Sequence, residues 1–454
     1  MNRLLLSTLL LAAVQAVNAA PTVFPTGTTI YDPGKAWNGY TLFSILDDRG
    51  AVLVDMNGRV VKRWNGFNLS AGGPARILPG GIIIGTAGSY SGHQEATALV
   101  EMDFNGNELS RFARNEQISG TDGVREWSAR QHHDWQRENF PAGYYSPEYF
   151  PGATGSKTLL LTHTNHRVPA VADVLLEDDR IIEVAPDGEI LWDWRAADHI
   201  DEFGFDEAER QAIRTAAGSA GPRGVSERYD WLHINSATYV GPNQWYDAGD
   251  QRFAPANVII SSRQASIIAI VARDGSIAWQ IGPNFSRSEA EHAIRQVIGQ
   301  HHAHFIPVGL PGAGNVLIFD NGGSSGYGPA SPIAPNGLGV YARATSRVLE
   351  INPVTLELVW TYVGRNFFST NISGAQRLPN SNTLITEGAT GRVFEVTNDR
   401  EIVWEYMVAP SDSGRRTNAV YRAHRIPYAW VPQLQQPEEI AVPLPDLGQF
   451  VIPY

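Results

Sequence analysis

Histidine opens three short segments of the sequence that each lead into a predicted inner β-strand. The segments are His133-Asp-Trp-Gln136, His233-Ile-Asn-Ser236 and His301-His-Ala-His304, and a fourth of the same spacing, Ser373-Gly-Ala-Gln376, opens with serine. If each segment begins the innermost strand of a repeated unit, the three imidazoles converge at one end of a channel. Imidazole near neutral pH acts as a base, a nucleophile or a metal ligand, so convergence alone leaves these roles open.

Further histidines and arginines stand close to these segments. His132 precedes the first segment, and the third segment contains two additional histidines, His302 and His304. The planar guanidinium group binds oxyanions through a bidentate fork, so arginines near the same channel end are candidates for binding an anion. These candidates are Arg343, Arg347, Arg422 and Arg425, and His424 lies between the last two.

The composition excludes several classes of function. The 454-residue sequence has no cysteine, which excludes thiol catalysis, iron–sulfur clusters and cysteine-bound zinc. It contains no Gly-x-Ser-x-Gly, phosphate-loop, His-Glu-x-x-His or dinucleotide-binding pattern, so no cofactor is predicted. The formal net charge is −12 and the basic residues are dispersed, which argues against nucleic acid as a partner.

A sixfold repeat supplies the elements that must position these side chains. Each copy is an apolar strand, a tight turn rich in Asn, Asp, Gly or Pro, and a second strand that ends in an aromatic residue. Asn-Gly and Asp-Gly favour the tight turns of β-hairpins, so each copy predicts the outer hairpin of one unit. The copies begin at Val52, Ala98, Ile181, Ile268, Val348 and Val393.

Continuous apolar runs lie between the hairpins and predict strands that are buried on both faces. The runs are Ile82–Gly85, Leu159–Thr162, Asn257–Ser261, Asn315–Phe319 and Asn382–Thr386. Four strands in each of about six units predict an all-β, six-bladed β-propeller. A pair of β-sandwiches is the alternative, but six evenly built hairpins without a linker favour the propeller.

Uneven spacing between the copies places insertions at residues 120–157, 195–229 and 322–342. In the second insertion, residues 201–217 predict a short helix with acidic residues near its start. The third is rich in Gly, Ser and Pro and predicts a mobile lid or rim loop. The Pro-rich C-terminal tail, residues 427–453, is expected to run along the outside of the last blade.

Residues 1–19 predict a removable signal peptide. A positive start is followed by the apolar run 4–14 and by Val17-Asn18-Ala19, a small-x-small cleavage pattern. The run is too short to span a bilayer, so no stable membrane insertion is expected, and an uncleaved anchor is the alternative. Residues 20–454 then form a single propeller domain that is periplasmic or secreted. A homodimer is compatible with the sequence.

Six longer segments together resemble those of the bacterial arylsulfate sulfotransferase family, whose members are six-bladed propellers of the periplasm. The segments are Asp230–Ser236, Gln300–His304, Phe319–Gly322, Ser346–Glu350, Gln376–Ile385 and Tyr421–Trp430. The resemblance implies transfer of a sulfuryl group from a phenolic sulfate donor to a phenol acceptor, without a nucleotide donor. It also implies a covalent sulfohistidine intermediate and therefore ping-pong kinetics.

Carried over motif by motif, the resemblance implies supporting roles for His233 and His301 and a sulfate-binding role for Arg347. The family has a further histidine late in the chain as nucleophile, and here that histidine is His424. The other residues expected to support the reaction are His133, His132, His302, His304 and Asn235.

The Gln-His segment departs from the family pattern, because His302 and His304 stand where an acid and an amide are expected. The departure leaves two alternatives open. One is a metal-dependent lyase or hydrolase that uses His133, His233 and His301 as ligands. The other is a non-catalytic binding propeller of the cell envelope.

Overall fold

The computed structural model of the protein describes residues 26–46, 50–67, 73–89, 95–119, 123–151, 155–218, 228–410 and 417–443. The predicted signal peptide, residues 1–19, lies outside the described residues. Within those ranges the chain forms antiparallel β-sheets with few helices.

Six sheets of at least four strands surround a central channel as the blades of a propeller. From the channel outward, blade 1 consists of Val420–Ile426, Tyr40–Ile45, Ala51–Val54 and Val60–Trp64. Blade 2 consists of Arg76–Leu78, Ile82–Ala87, Ala98–Met102 and Glu108–Phe112. Blade 3 consists of Gln131–Arg137, Thr158–His166, Leu175–Val184 and Ile190–Arg195, with Arg228–Tyr229 parallel to the third strand.

The remaining three blades follow the same plan. Blade 4 consists of Ile234–Tyr239, Val258–Ser262, Ile267–Val271 and Ile277–Ile281. Blade 5 consists of His301–Phe305, Val316–Asp320, Arg347–Ile351 and Leu358–Tyr362. Blade 6 consists of Gly374–Arg377, Thr383–Glu387, Arg392–Val396 and Ile402–Met407, followed by Gly27–Tyr31. The prediction of an all-β, six-bladed β-propeller is confirmed.

The repeated sequence pattern maps directly onto the blades. The predicted hairpins are the third and fourth strands, and in blade 1 the strand pairing runs from Ala51 opposite Trp64 to Val54 opposite Val60. Gly58, in the turn between them, has a φ of 86°, which glycine adopts without strain. The apolar runs are the second strands, which are buried on both faces as expected.

Tryptophans of the fourth strands join neighbouring blades. In five blades the indole N–H donates to a main-chain carbonyl in the outer turn of the next blade. The pairs are Trp64 to Asp103 (3.3 Å), Trp194 to Gly275 (2.9 Å), Trp279 to Pro353 (2.9 Å), Trp360 to Asn398 (2.8 Å) and Trp404 to Met56 (2.9 Å). Blade 2 carries Phe112 at the position of Trp64, and a phenyl ring has no N–H to donate.

Both ends of the described chain close the ring. The late strand Val420–Ile426 is the innermost strand of blade 1 and pairs with Tyr40–Ile45. The early strand Gly27–Tyr31 pairs with Ile402–Met407 at the outer edge of blade 6. Two strand pairings therefore close the ring of blades, one beside the channel and one at the outer edge.

The insertions fold differently from expectation in two places. The helix predicted at 201–217 is present but begins later, at Glu207–Gly218. The prediction of a mobile lid or rim loop at 322–342 is wrong about the secondary structure, because Gly323–Tyr327 and Leu338–Arg343 pair as a β-hairpin. A second hairpin joins Glu116–Ser119 to Arg125–Ser128. The other helical segments are Pro141–Gly143, Ala196–His199, Gln244–Asp247, Gln251–Phe253, Glu289–Ile294, Gly388–Thr390 and Tyr428–Trp430.

The C-terminal tail follows the outer edge of the last blade, as the sequence suggested, only at the end of its described part. Its described part crosses blades 1 and 2, where Gln433 donates to the Gly80 carbonyl at 2.7 Å and the Tyr40 hydroxyl donates to the Gln435 carbonyl at 3.2 Å. It then reaches the edge of blade 6, where Val442 pairs with Tyr31. These polar contacts fix the tail to three blades.

Candidate active site

One residue of each innermost strand lies at the same level of the channel. In every blade this residue pairs with a residue of the second strand. That second-strand residue pairs in turn with the penultimate residue of the third strand. The six residues of this ring are Arg76, Gln136, Thr238, His304, Gln376 and His424. The ring gives a common reference for every predicted site residue.

The sequence predicts that His133, His233 and His301 occupy equivalent positions in three blades. Counted in residues from this ring, the positions of only two of them are equivalent. His133 and His301 each lie three residues before a ring residue, as Ser373 does. In blade 4 that place belongs to Asn235, so His233 is displaced by two residues and its predicted match is wrong. The innermost strands of blades 3, 4 and 5 all carry β-bulges at this level, which change the direction of the side chains.

His133 and His233, the outer histidine pair, nevertheless meet at the channel mouth. Their rings are in edge contact with centroids 4.7 Å apart, and both residues are partly exposed. Both have positive φ, 54° for His133 and 52° for His233, a backbone conformation that non-glycine residues adopt rarely. Strain of this kind is retained where the surrounding structure enforces it, and here it brings two imidazoles together.

Asp230 orients the ring of His233. One carboxylate oxygen accepts from the His233 main-chain N–H at 2.9 Å, and the other forms a short hydrogen bond with Nδ1. Burial opposes ionisation of Asp230, but the adjacent His233 ring outweighs it and holds the pKa of Asp230 below its usual range. An ionised Asp230 keeps the proton of His233 on Nδ1 and leaves the lone pair on Nε2. Sequence reasoning did not single out Asp230.

His301 is held on both ring nitrogens by the protein. Nδ1 lies 2.8 Å from Oδ1 of Asn321 and 3.1 Å from the Gly299 carbonyl, while Nε2 accepts from the main-chain N–H of Ile372 at 3.2 Å. Burial, followed by the positive charge of Arg263, lowers its pKa well below the usual range. The ring is therefore neutral and connects blade 5 to blade 6 rather than offering a free nitrogen.

His302, His304 and His424 form an inner histidine cluster deeper in the channel. The rings of His302 and His304 are 4.2 Å apart, and those of His302 and His424 are 6.1 Å apart. His304 bonds through Nδ1 to the His302 carbonyl and through Nε2 to the Tyr144 hydroxyl, each at 2.9 Å. Within the described part of the chain, neither nitrogen of His302 or His424 has a hydrogen-bond partner.

Two buried arginines give this cluster an excess of positive charge. Arg76 binds Oδ1 of Asp134 at 2.7 Å, and Arg422 reaches the same oxygen at 3.4 Å, so two guanidinium groups share one carboxylate. The second nitrogen contact of Arg422, to the Asn235 carbonyl, is also long at 3.4 Å, and its Nε has no partner among the described residues. Burial and then the charge of Arg422 lower the pKa of His302 well below its usual range. The channel is thus suited to bind an anion.

The other arginines are engaged elsewhere. Arg347 donates to Oδ2 of Asp320 at 2.6 and 2.8 Å and to the Ile294 carbonyl at 3.0 Å, and Arg343 binds the same carboxylate at 2.6 Å. Arg425 donates to Thr41 at 2.7 Å and pairs with a buried glutamate. Arg347 is thus bound to Asp320 in this structure, and the sulfate-binding role that the resemblance implies for it stays a prediction.

The alternative metal site of His133, His233 and His301 is contradicted by the geometry. Among the described residues, two sets of three ligand atoms lie within 4.8 Å of one another, and neither set includes any of these histidines. The sets are His132, His163 and Asp179, and Glu95, His163 and Glu177. The side chains of both sets lie behind the channel mouth and not in it.

Comparison with known proteins identifies the family. A family model described as Arylsulfotransferase (ASST) matches residues 15–422, most of the chain. This chain belongs to the arylsulfotransferase family. No curated protein matches it.

Several solved structures are similar to part of this chain. A protein of unknown function from Bacteroides caccae is 10% identical over 86% of this chain and 99% of its own, with a TM-score of 0.42. The Dos1 propeller is 10% identical over 74% and 76%, with a TM-score of 0.36. Virginiamycin B lyase from Staphylococcus aureus is 11% identical over 76% and 71%, with a TM-score of 0.31. No helix in the described part of the chain is long and apolar enough to cross a membrane.

The insertion at residues 120–157 places Tyr144 beside the inner histidine cluster, a contact that the sequence did not predict. Tyr144 is fully buried, with its ring 5.2 Å from His304 and 6.4 Å from His424. The preceding Gly143 lies against Arg76, where an added Cβ would come within 2.3 Å of the guanidinium.

Proposed function

We propose that this arylsulfotransferase transfers a sulfuryl group from a phenolic sulfate to a phenol through a sulfohistidine formed on His233. The observation that carries the proposal is the outer histidine pair, in which Asp230 orients His233 and the ring of His133 lies 4.7 Å away. Family membership supplies the class of donor and acceptor. Both rings of the pair are partly exposed, whereas the inner histidine cluster is buried.

His233 serves as the nucleophile in this scheme. Nε2 attacks sulfur, a bond from nitrogen to sulfur forms, and the bond from sulfur to the phenolic oxygen breaks, with its electron pair leaving on the phenolate. The ring becomes cationic after attack, and the carboxylate of Asp230 on Nδ1 stabilises that charge. His424, which the resemblance implies as nucleophile, is buried in the inner histidine cluster, and neither of its nitrogens has a hydrogen-bond partner among the described residues.

His133 and Arg422 have supporting roles. Burial, followed by the neighbouring His233 and His132 rings, lowers the pKa of His133 well below its usual range, so its ring stays neutral. A neutral ring with its proton on Nε2 donates a hydrogen bond to the departing phenolate oxygen. The two hydrogen bonds that Arg422 donates are long, at 3.4 Å each. The N–H groups of Arg422 can therefore donate to the negative oxygens of the sulfuryl group and stabilise them.

The second half of the reaction reverses the first. An acceptor phenol, bound as its phenolate after losing its proton to solvent, attacks the sulfur of sulfohistidine and restores neutral His233. Two successive displacements at one nitrogen predict ping-pong kinetics and no nucleotide donor. Charge in the transition state is spread over oxygens, so positioning and cationic stabilisation supply most of the catalysis.

The test is release of 4-nitrophenol from 4-nitrophenyl sulfate in the presence of phenol. We expect His233→Ala to abolish release and Asp230→Asn to lower kcat by at least about tenfold. The matched control is His199→Ala, because His199 also pairs with a carboxylate, Glu202 at 2.6 Å, but lies on the rim. Absence of release with several phenols, or an unchanged rate in His233→Ala, overturns the proposal.

We also propose that the protein is exported, since residues 1–19 have the composition of a signal peptide. The mature protein is then periplasmic or secreted and begins near residue 20. N-terminal sequencing of protein from the extracytoplasmic fraction tests this. An intact first residue on protein retained in the cytoplasm contradicts it.

A further inference from the structure

Four of the six blades place a tryptophan at one position of the fourth strand, opposite the penultimate residue of the third strand. Its indole N–H donates to the carbonyl of the second residue in the outer turn of the next blade. These bonds join Trp192 to Arg273 (3.1 Å), Trp279 to Pro353 (2.9 Å), Trp360 to Asn398 (2.8 Å) and Trp404 to Met56 (2.9 Å). In blade 1 the position is Lys62, whose ammonium lies 4.6 Å from the ring centroid of Phe104 in the next outer turn.

Blade 2 has Ser110 at this position, opposite Glu101. A serine side chain is much smaller than an indole, and a cavity of about 320 Å³ lies beside it, between blades 2 and 3. The cavity is lined in part by Ser110, Phe112, Leu160 and Pro186. Pro186 is the second residue after the third strand of blade 3, so its carbonyl corresponds to the acceptors in the other blades. Sites for small molecules have volumes of roughly 300–1,000 Å³, and this cavity is at the small end of that range.

An arginine from the next blade accompanies the tryptophans of blades 5 and 6. Arg377 binds the glutamate opposite Trp360 at 2.6 Å, and its guanidinium carbon lies 5.8 Å from the centroid of that ring. Arg425 binds the glutamate opposite Trp404 at 3.1 Å and lies 4.5 Å from its ring centroid. A guanidinium group at this distance attracts the electron-rich face of an aromatic ring.

Blade 3 provides the matching arginine for blade 2. Arg137 binds Glu101 at 2.9 Å, and like Arg377 and Arg425 it directly follows the channel ring residue of its innermost strand. Arg137 lines the cavity and is 6% exposed, and its Nε has no hydrogen-bond partner among the described residues. The guanidinium, the carbonyl and the space for an aromatic ring are therefore all present, whereas the side chain of Ser110 carries no ring.

We infer that this cavity binds a planar aromatic molecule of about the size of indole that carries an N–H or O–H donor. The ring lies over the guanidinium of Arg137 and packs against the apolar side chains of Phe112 and Leu160. The donor faces the carbonyl of Pro186. The site lies between the outer strands of two blades, apart from the outer histidine pair, and takes no part in the proposed transfer.

Binding is tested by isothermal titration of the full chain with indole. We expect the wild type to bind one equivalent between blades 2 and 3 and its melting temperature to rise as indole is added. Ser110→Trp places an indole of the chain itself in the cavity, so this variant should lose that equivalent and melt at a higher temperature than the wild type. The control is Leu109→Trp, which adds the same ring at a neighbouring position that is 45% exposed and should leave indole binding unchanged.

A ring without a donor tests the hydrogen bond to Pro186. Benzofuran has the shape of indole but carries an ether oxygen in place of the N–H. We expect it to bind about fivefold more weakly than indole, which corresponds to the loss of one neutral hydrogen bond. Equal affinities of the two molecules would contradict a donor bound to this carbonyl.

Two results overturn the inference as a whole. They are no indole bound by the wild type, or the same number of equivalents bound by the wild type and by Ser110→Trp. If Ser110→Trp does not fold, a crystal structure of the wild type with indole decides, and indole found only outside the gap between blades 2 and 3 contradicts the site. His233→Ala should bind indole as the wild type does, so failure of this inference is separate from failure of the proposed function.

Discussion

At the scale of single residues, the channel histidines are distinguished by what each ring nitrogen contacts. His233 has a carboxylate on Nδ1, His301 has protein partners on both nitrogens, and His424 has none among the described residues. A nucleophile needs one oriented nitrogen with a free lone pair, and His233 meets that requirement at the mouth. The sequence alone presents all of them as equivalent imidazoles.

Replacing Arg422 should impair the reaction more than the fold. Arg422→Met removes donors from the sulfuryl oxygens but leaves Asp134 paired with Arg76 at 2.7 Å. We expect kcat/KM for 4-nitrophenyl sulfate to fall by about 10²–10³. Arg392→Met is the control, since Arg392 pairs with Glu405 away from the channel. An Arg422→Met enzyme with wild-type kcat/KM would show that the anion binds elsewhere.

The ionisation of Asp230 should appear in the pH dependence of stability. Its pKa in the folded protein lies below the value of about 3.9 for an unfolded chain, so ionised Asp230 stabilises the fold above that pH. The contribution is lost as the pH falls through the folded value. We expect the difference in unfolding free energy between wild type and Asp230→Asn to be largest above about pH 5 and to shrink toward pH 3. Urea unfolding at each pH measures it, and a difference independent of pH refutes it.

At the scale of elements, the β-bulges of the innermost strands decide which side chains enter the channel. The sequence predicts the strands of the blades because tight turns and apolar runs repeat six times. It does not predict the bulges, since a bulge adds a residue without changing the apolar pattern, and so it misplaces His233 by two residues. Arg76 was missed because its strand, Arg76–Leu78, is too short to show a pattern.

The indole hydrogen bonds between blades should contribute measurably to stability. Trp360→Phe keeps an aromatic ring but removes the N–H that donates to the Asn398 carbonyl at 2.8 Å. We expect the free energy of unfolding to fall by about 1 kcal/mol, measured by urea denaturation. Trp127→Phe is the control, because Trp127 is 43% exposed in a hairpin, and its effect should be within about 0.5 kcal/mol. Equal effects in the two variants would contradict a role for these bonds.

At the scale of the whole molecule, the chain joins its early and late strands in one ring. The strand Val420–Ile426 closes blade 1 and also carries Arg422 and His424 into the channel. Closure and site assembly therefore depend on the same strand. Sequence reasoning recognised its Arg and His residues but could not assign them to blade 1, because that pairing spans almost the entire chain.

Truncation tests this coupling. A chain ending at residue 418 lacks the innermost strand of blade 1 and exposes the edge of Tyr40–Ile45. We expect it to lose cooperative unfolding and all transferase activity, as followed by circular dichroism and nitrophenol release. A truncated chain with the midpoint of the full chain would show that the ring closes without this strand.

The central claim is that sulfuryl transfer passes through Nε2 of His233. The most direct measurement is mass spectrometry of the full-length protein quenched at neutral to alkaline pH during turnover of 4-nitrophenyl sulfate, followed by peptide mapping. We predict one added sulfuryl group on the peptide that contains His233, absent in His233→Ala and removed when phenol is added. A sulfuryl group on the peptide of His424 or of His302, or steady release of nitrophenol with no modified histidine, would contradict the claim.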